Sequence, residues 1–392
     1  MSKDNSNALD QESFKAFIEQ LRRFVRNRLV PAEAEVIELN AVPDDIMAEM
    51  RDIGLFGITT PQKYGGAEMN MSQYIETVRE MSWAMPGFRA ILSINIGMLT
   101  TALLESGTEA QREYWFEKMM AGSVGCFGLT EPDTGSDVAA VQTRAIREGD
   151  DYIISGAKRY ISNAPFADFG LMMVRTEAEA LPKNRHISAF MMPLDLPGVS
   201  IGKPDKKMGQ AGAQIADIVF DNVRVPKKFL LGEVEGAGFT VAMQALDKGR
   251  LSVAAAATGY AARILETGLR YSTERKAFGE RIGNFQLIQA MLADSKAEIY
   301  AAECMLRDAA QRADNGQAIP MEASCVKMFA TEMCNKVADR VVQIHGGAGY
   351  LEEYEAERFL RDVRVYRIYE GTTQIQQLII AKRMLREFDA GQ

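Results

Sequence analysis

The feature that most constrains this chain is a change of hydrophobic period along its length, from helical to strand-like and back. Helices place every third or fourth residue on one face and strands place every second, so a segment patterned for one cannot bury its apolar face as the other. From Ser13 to about Gly122, apolar residues recur at helical spacing, as in Phe14, Phe17, Ile18, Leu21 and Val25, with breaks at Pro31, Pro43, Gly65-Gly66 and Gly107. From Ser123 to about Gly232, short β-branched or alternating runs take over, among them Tyr152-Ile153-Ile154, Ile187 to Met192 and Ile215 to Phe220, punctuated by Gly149-Asp150, Pro197-Gly198 and Pro204-Asp205. From Gly238 the helical period returns in long Ala- and Leu-rich segments. The pattern predicts an α+β, mainly helical chain in three domains: helices over 1–122, an antiparallel β domain over 123–232 and a helical bundle over 233–392.

With 47% of its 392 residues apolar, the chain has enough material for two or three packed units. A net charge of −8 argues against a broad nucleic-acid surface, though local patches such as Lys203 to Lys207 could still hold phosphates. Cys126, Cys304, Cys325 and Cys334 are scattered, which suits reduced structural thiols, and two distant histidines, His186 and His345, make a zinc site or a histidine triad a poor expectation. The opening Met-Ser-Lys-Asp-Asn lacks an apolar signal core, and no later run of about 18 apolar residues suggests a membrane span. The expected compartment is the cytoplasm, or the mitochondrial matrix in a eukaryote.

Neither a Gly-x-Gly-x-x-Gly nor a Walker-type loop is present. Two segments invite attention instead: Thr130-Glu131-Pro132-Asp133-Thr134-Gly135-Ser136-Asp137, and Arg367-Ile368-Tyr369-Glu370-Gly371-Thr372-Thr373-Gln374. Both set small and hydroxyl residues around a glycine, where backbone N–H groups can face a ligand. Taken alone, the first also reads as an ordinary polar turn. Glu370 also reads as a surface carboxylate before a helix capped by Thr372 or Thr373.

These residues resemble the acyl-CoA dehydrogenase family over about Phe14 to Arg386. Cys126-Phe127-Gly128-Leu129-Thr130-Glu131-Pro132 with Gly135-Ser136-Asp137 is similar to one family signature. Gln343-Ile344-His345-Gly346-Gly347-Ala348-Gly349-Tyr350, then Arg361-Asp362 and Tyr369-Glu370-Gly371-Thr372, is similar to the other. The resemblance implies a helical domain, a middle β domain and a C-terminal four-helix domain, assembled as a homotetramer around FAD. It places Phe127, Leu129, Thr130, Gly135 and Ser136 along the flavin, and Tyr160-Ile161-Ser162 beside it, with Tyr160 where relatives usually carry Trp. Arg275, Ala277, Phe278, Gln286, Gln343, Gly346 and Gly347 match positions that hold the dinucleotide, partly from a neighbouring subunit, and Thr372 and Gln374 match contacts at the Glu370 loop. Ser136, Asp247, Arg250 and Gly371 match contacts to the acyl-CoA substrate. Asp247 and Arg250 also read as a helix-surface ion pair, and His345 as a packed ring.

The resemblance also implies a reaction: Glu370 removes the α-proton of the thioester, its backbone N–H helps bind the thioester oxygen, and the β-hydride passes to the flavin. Electrons then go to an electron-transferring flavoprotein. One branch of the family keeps its base at the helix position corresponding to Gly249, which has no carboxylate, so Glu370 is the only candidate at either place. Arg89, after Phe88 and eighteen residues before Gly107, is similar to an Arg of the glutaryl-CoA dehydrogenases. It implies a substrate with a distal carboxylate or sulfinate, dehydrogenated with or without loss of that group, unless Arg89 pairs with a local acid such as Glu80 or Glu105. An oxygen-using flavin enzyme and a non-catalytic assembly factor remain as other uses of the same scaffold.

Overall fold

A computed structural model describes residues 9–176 and 186–391; the reading of Met1 to Asn5 falls outside them. The N-terminal helices are α1 (Gln11–Phe24), α2 (Glu33–Leu39), α3 (Asp44–Asp52), α4 (Met71–Met81), α5 (Pro86–Ser93), α6 (Thr100–Ser106) and α7 (Glu109–Met120). Their starts follow local chemistry. Asp10 caps α1, and α4 and α7 open on reciprocal capping boxes, Asn70 with Gln73 and Thr108 with Gln111.

A π-helical stretch, Ile94–Leu99, joins α5 to α6. The resulting segment Pro86–Ser106 is long and apolar enough to cross a membrane, contrary to the sequence expectation. Most of it is packed inside the helical core, which supplies a different reason for its apolarity.

The sheet is built from β1 (Gly125–Gly128), β2 (Arg144–Glu148), β3 (Asp151–Ser162), β4 (Phe169–Thr176), β5 (Ile187–Pro193), β6 (Val199–Ile201) and β7 (Ile215–Pro226). Its path runs β1-β4-β2-β3-β7-β6, with β5 on β4. The expected antiparallel pairing holds for β2–β3, β3–β7, β4–β5 and β6–β7, but β1 and β2 both run parallel to β4. The long excursion through the β2–β3 hairpin lets the chain return in the same direction, a connection that alternation within single strands cannot reveal.

The chain closes with α8 (Gly238–Glu274), a short hairpin of β8 (Lys276–Ala277) and β9 (Glu280–Arg281), α9 (Gln286–Asp314), α10 (Pro320–His345), α11 (Glu355–Val363) and α12 (Thr373–Ala390). Helix α8 is buried through most of its length because it packs on α4, α9 and α10 together. Gly259 permits part of that approach, since a Cβ there would stand 2.1 Å from the Arg79 carbonyl oxygen. The α2, α8 and α11 helices are tied by buried charges: Arg263 bonds both Glu33 and Glu355, and Arg358 reaches Glu33 at 2.9 Å.

Candidate active site

Glu370 stands in a short loop between the turn Arg364–Arg367 and α12. Its φ of +54° is a left-handed conformation that a residue with a Cβ rarely adopts, and Gly371 follows at +90°. Surrounding bonds hold the loop there. Glu332 on α10 accepts from Arg367 and from the Thr373 hydroxyl at 2.7 Å each, closing the loop at its two ends. The fully buried Lys327, also on α10, donates to the Gly371 carbonyl at 2.7 Å, and Gln376 Nε2 reaches the Glu370 and Gly371 carbonyls at 3.2 and 3.1 Å. Thr372 caps α12 through the Ile375 N–H. This realises the capping role read from sequence and leaves Glu370 to turn inward.

The residue as a whole is half-buried, and its Oε2 is buried with no hydrogen-bond partner among the described residues. Burial pushes the carboxyl up from 4.5 to about 7, against the opposing pull of Arg89, Lys327 and Arg250. The side chain lies on α8 at Gly249, where an added Cβ would stand 1.9 Å from Oε2. The two positions considered for a base therefore address one volume, and only one of them carries a side chain. The N–H of Glu370 has no protein partner among the described residues.

Arg89, on α5, is buried at 4% exposure. It does not pair with Glu80, which binds Arg22 and Arg26, nor with Glu105; among the described residues Arg89 has no carboxylate partner within ion-pair distance. Its guanidinium makes two long contacts of 3.5 Å, to the Ser252 hydroxyl and the Tyr369 phenol, while Nε has none. Tyr74 and Tyr366 add buried hydroxyls without partners, and the Tyr74 phenol feels both Arg89 and Glu370. Burial pushes the Tyr74 and Tyr369 phenols up to about 12, so both stay protonated. Donors thus gather around Arg89. Arg250 bonds Asp247 at 2.5 Å as the ion-pair reading expects, but it is buried rather than on the helix surface, and its Nε has no partner among the described residues.

A second cluster lies on the sheet. The Arg159 N–H donates to the Thr130 carbonyl at 2.9 Å, setting the segment after β1 against the end of β3. Leu129 and Ile161 are buried, Phe127, Thr130 and Ser162 are half-buried, and Gly135, Ser136 and Tyr160 are exposed. The hydroxyls of Thr130, Ser136 and Ser162 have no protein partner among the described residues. Tyr160 is 56% exposed at a φ of +59°. Beneath this surface Glu131 accepts the Gln142 and Thr143 N–H groups and the fully buried Lys158 ammonium at 2.7 Å, locking the loop to β3. The ring of Tyr160 and the free hydroxyls suit a planar, polar-edged heterocycle such as a flavin.

The remaining expected residues stand elsewhere. Arg275, Ala277 and Phe278 form the β8–β9 hairpin, Gln286 opens α9, and Gln343, Gly346 and Gly347 mark the end of α10. Tyr271 stacks on His345 at 4.0 Å, joining the ends of α8 and α10, and the His345 Nδ1 lies 2.7 Å from the Val341 carbonyl. His345 is accordingly a packed ring. Arg275 follows Gly249 by 26 residues of helix, roughly 39 Å of axis, so it stands far from the Glu370 loop of its own chain.

Sequence reasoning missed Lys327, Gln376, Ser252 and Tyr74. The available signal for Lys327 was a lysine in the same helical phase as Ala323, Ala330, Cys334 and Val337, a face that is otherwise small and apolar.

Family models match the chain in three successive parts. The acyl-CoA dehydrogenase N-terminal, middle and C-terminal domains match residues 11–123, 126–223 and 236–385. The caffeyl-CoA reductase–Etf complex subunit CarC of Acetobacterium woodii is 39% identical over 90% of this chain and 93% of its own. The butyryl-CoA dehydrogenase of Megasphaera elsdenii superimposes with a TM-score of 0.91 at 33% identity, covering 97% of this chain and 99% of the other. A glutaryl-CoA dehydrogenase in complex with glutaryl-CoA superimposes at 0.90 and 31% identity, with 96% of each chain covered. The chain belongs to the acyl-CoA dehydrogenase family, oxidoreductases that act on CH–CH groups with FAD.

Proposed function

We propose that the protein dehydrogenates the Cα–Cβ bond of an acyl-CoA whose acyl chain ends in an anionic group, with Glu370 as the base and Arg89 as the receptor for the distal charge. The observation that carries this reading is the buried Arg89 guanidinium, which among the described residues has no acidic partner at ion-pair distance and lies close enough to Glu370 for the two charges to act on one another. A buried unpaired charge is costly, and a ligand carboxylate or sulfinate would supply a bidentate partner. Tyr74, Tyr366, Tyr369 and Ser252 are further donors for its oxygens.

An α-C–H beside a thioester is a weak acid, so its removal needs a base whose pKa lies near the working pH and a donor for the oxygen on which charge develops. Glu370, raised to about 7 by burial, meets the first need. Its unpartnered N–H, presented by the strained loop, meets the second. FAD, when bound, would supply the acceptor for the β-hydride. Thr130, Ser136, Tyr160 and Ser162 are the groups here that would hold the flavin, with the backbone of Phe127, Leu129, Gly135 and Ile161 beside it. Thr372 and Gln374 flank it at the base loop, and Asp247, Arg250 and Gly371 are left for the coenzyme A arm.

Arg275, Ala277, Phe278, Gln286, Gln343, Gly346 and Gly347 would serve the FAD of a second copy, which requires at least a dimer, and a homotetramer is the proposed assembly. The electron-transferring flavoprotein is the proposed acceptor.

The test is anaerobic flavin bleaching with glutaryl-CoA and butyryl-CoA. Arg89→Met should cost glutaryl-CoA about 10- to 100-fold in kcat/KM, the worth of a charged hydrogen-bonded pair, while sparing or improving butyryl-CoA. A wild type that prefers butyryl-CoA, with neither value moved by Arg89→Met, would remove Arg89 from the reading. Near-normal bleaching in Glu370→Gln would remove Glu370.

A further inference from the structure

We infer that Lys327 and Gln376 are positioning residues for proton abstraction, Lys327 both clamping the Glu370 loop through the Gly371 carbonyl and supplying a buried positive charge to the Glu370 carboxylate. The inference rests on Glu370 being the base. Lys327 has no exposed surface, yet among the described residues its ammonium donates only to a neutral carbonyl, at 2.7 Å. Burying an ammonium against a carbonyl alone is unfavourable, and a neutral donor such as glutamine would fill a purely structural role at less desolvation cost. Gln376 provides that neutral donor already, buried on α12 and shared between the Glu370 and Gly371 carbonyls. What Lys327 adds is charge.

The titratable groups whose charge is felt at Glu370 belong to four helices and its own loop: Tyr74 of α4, Arg89 of α5, Arg250 of α8, Lys327 of α10 and the adjoining Tyr369. Arg250 is partly engaged by Asp247, and Arg89 is the group proposed to meet the substrate. That leaves Lys327 as the cation committed to the loop itself. Burial lowers the Lys327 ammonium to about 8, with Glu370 opposing, Arg250 adding to the depression and Glu332 opposing. The loop needs such a clamp, because Glu370 and Gly371 hold left-handed backbone that relaxes unless neighbouring bonds oppose it.

The experiment measures exchange of the α-protons of butyryl-CoA and glutaryl-CoA in D2O by NMR, anaerobically, from pH 5.5 to 9.5, alongside FAD content and melting temperature. In Lys327→Met the acid limb should move up by about one unit, since a nearby cation is gone, and the plateau should fall roughly tenfold as the loop loosens. Lys327→Arg should return the limb to its original place. Gln376→Leu should lower the plateau without moving the limb. If Lys327→Met yields no folded protein, Lys327→Gln is read by the same criterion. An unmoved limb in a folded, FAD-replete neutral variant overturns the inference. Wild-type exchange in Glu370→Gln overturns the base assignment instead, so the two failures are separable.

Discussion

Replacing Gly249 with alanine isolates catalysis from stability at a single carbon. A Cβ built on Gly249 would stand 1.9 Å from Glu370 Oε2, 2.8 Å from Cδ and 3.1 Å from Oε1. To regain ordinary contact at about 3.4 Å, the carboxylate must retreat by roughly 1.5 Å. Because it ends a flexible side chain, the carboxylate moves and α8 does not. Alanine is also the better helix former by about 0.5–1 kcal/mol, so the melting temperature should stay level or rise. The base, in contrast, loses its position. A displacement of about 1 Å can cost on the order of a hundredfold, equivalent to about 2.7 kcal/mol of barrier. Gly249→Ala should therefore retain FAD and fold at least as stably as wild type, while α-proton exchange and anaerobic bleaching drop about a hundredfold. Rates within threefold of wild type would show that the carboxylate does not work from the volume it occupies here. A lowered melting temperature would show that the glycine serves helix packing instead.

Glu370 also makes stability depend on pH. Its folded pKa of about 7 lies above the unfolded 4.5, so the folded state holds a proton that the unfolded chain releases. The contribution is fully present below pH 4.5 and is lost as pH rises through 7. Glu370→Gln should thus gain up to about 3 kcal/mol over wild type by pH 8 and almost nothing at pH 4.5; denaturant unfolding of both at the two pH values checks this, and a pH-independent difference refutes it. Phe278, 96% exposed at a φ of +54° on the β8–β9 hairpin, should be covered by a second copy. Phe278→Ser should then reduce FAD retention and shift sedimentation toward smaller species with the helical content unchanged, and an unaltered assembly would contradict it.

Much of the architecture was legible because period is a property of short segments. Helical spacing, strand runs and a cap such as Thr372 act within a few residues of themselves, so β3, β5 and β7 formed over the runs that marked them and helix returned from Gly238, whereas the caps Asn70 and Thr108 were not read. The motifs around Thr130 and Glu370 were legible as well, through resemblance. The parallel pairings of β1 and β2 with β4 were not, because a strand's alternation names its faces and not its neighbours.

The sequence by itself determined which residues could do chemistry: a carboxylate at 370, none at 249, hydroxyls near 130 and 162, and a guanidinium at 89. Tertiary structure alone decided their state. Glu80, a sequence candidate for pairing with Arg89, is taken by Arg22 and Arg26, which leaves Arg89 unpaired. Glu131 meets Lys158, and Gly371 meets Lys327, 44 positions away in the chain. The physical reason is that burial and charge–charge distance set ionisation, and both depend on what packs against a group from other helices. Residues far apart along the chain raise Glu370 to a pKa suited to its proposed work, and no local pattern carries that information.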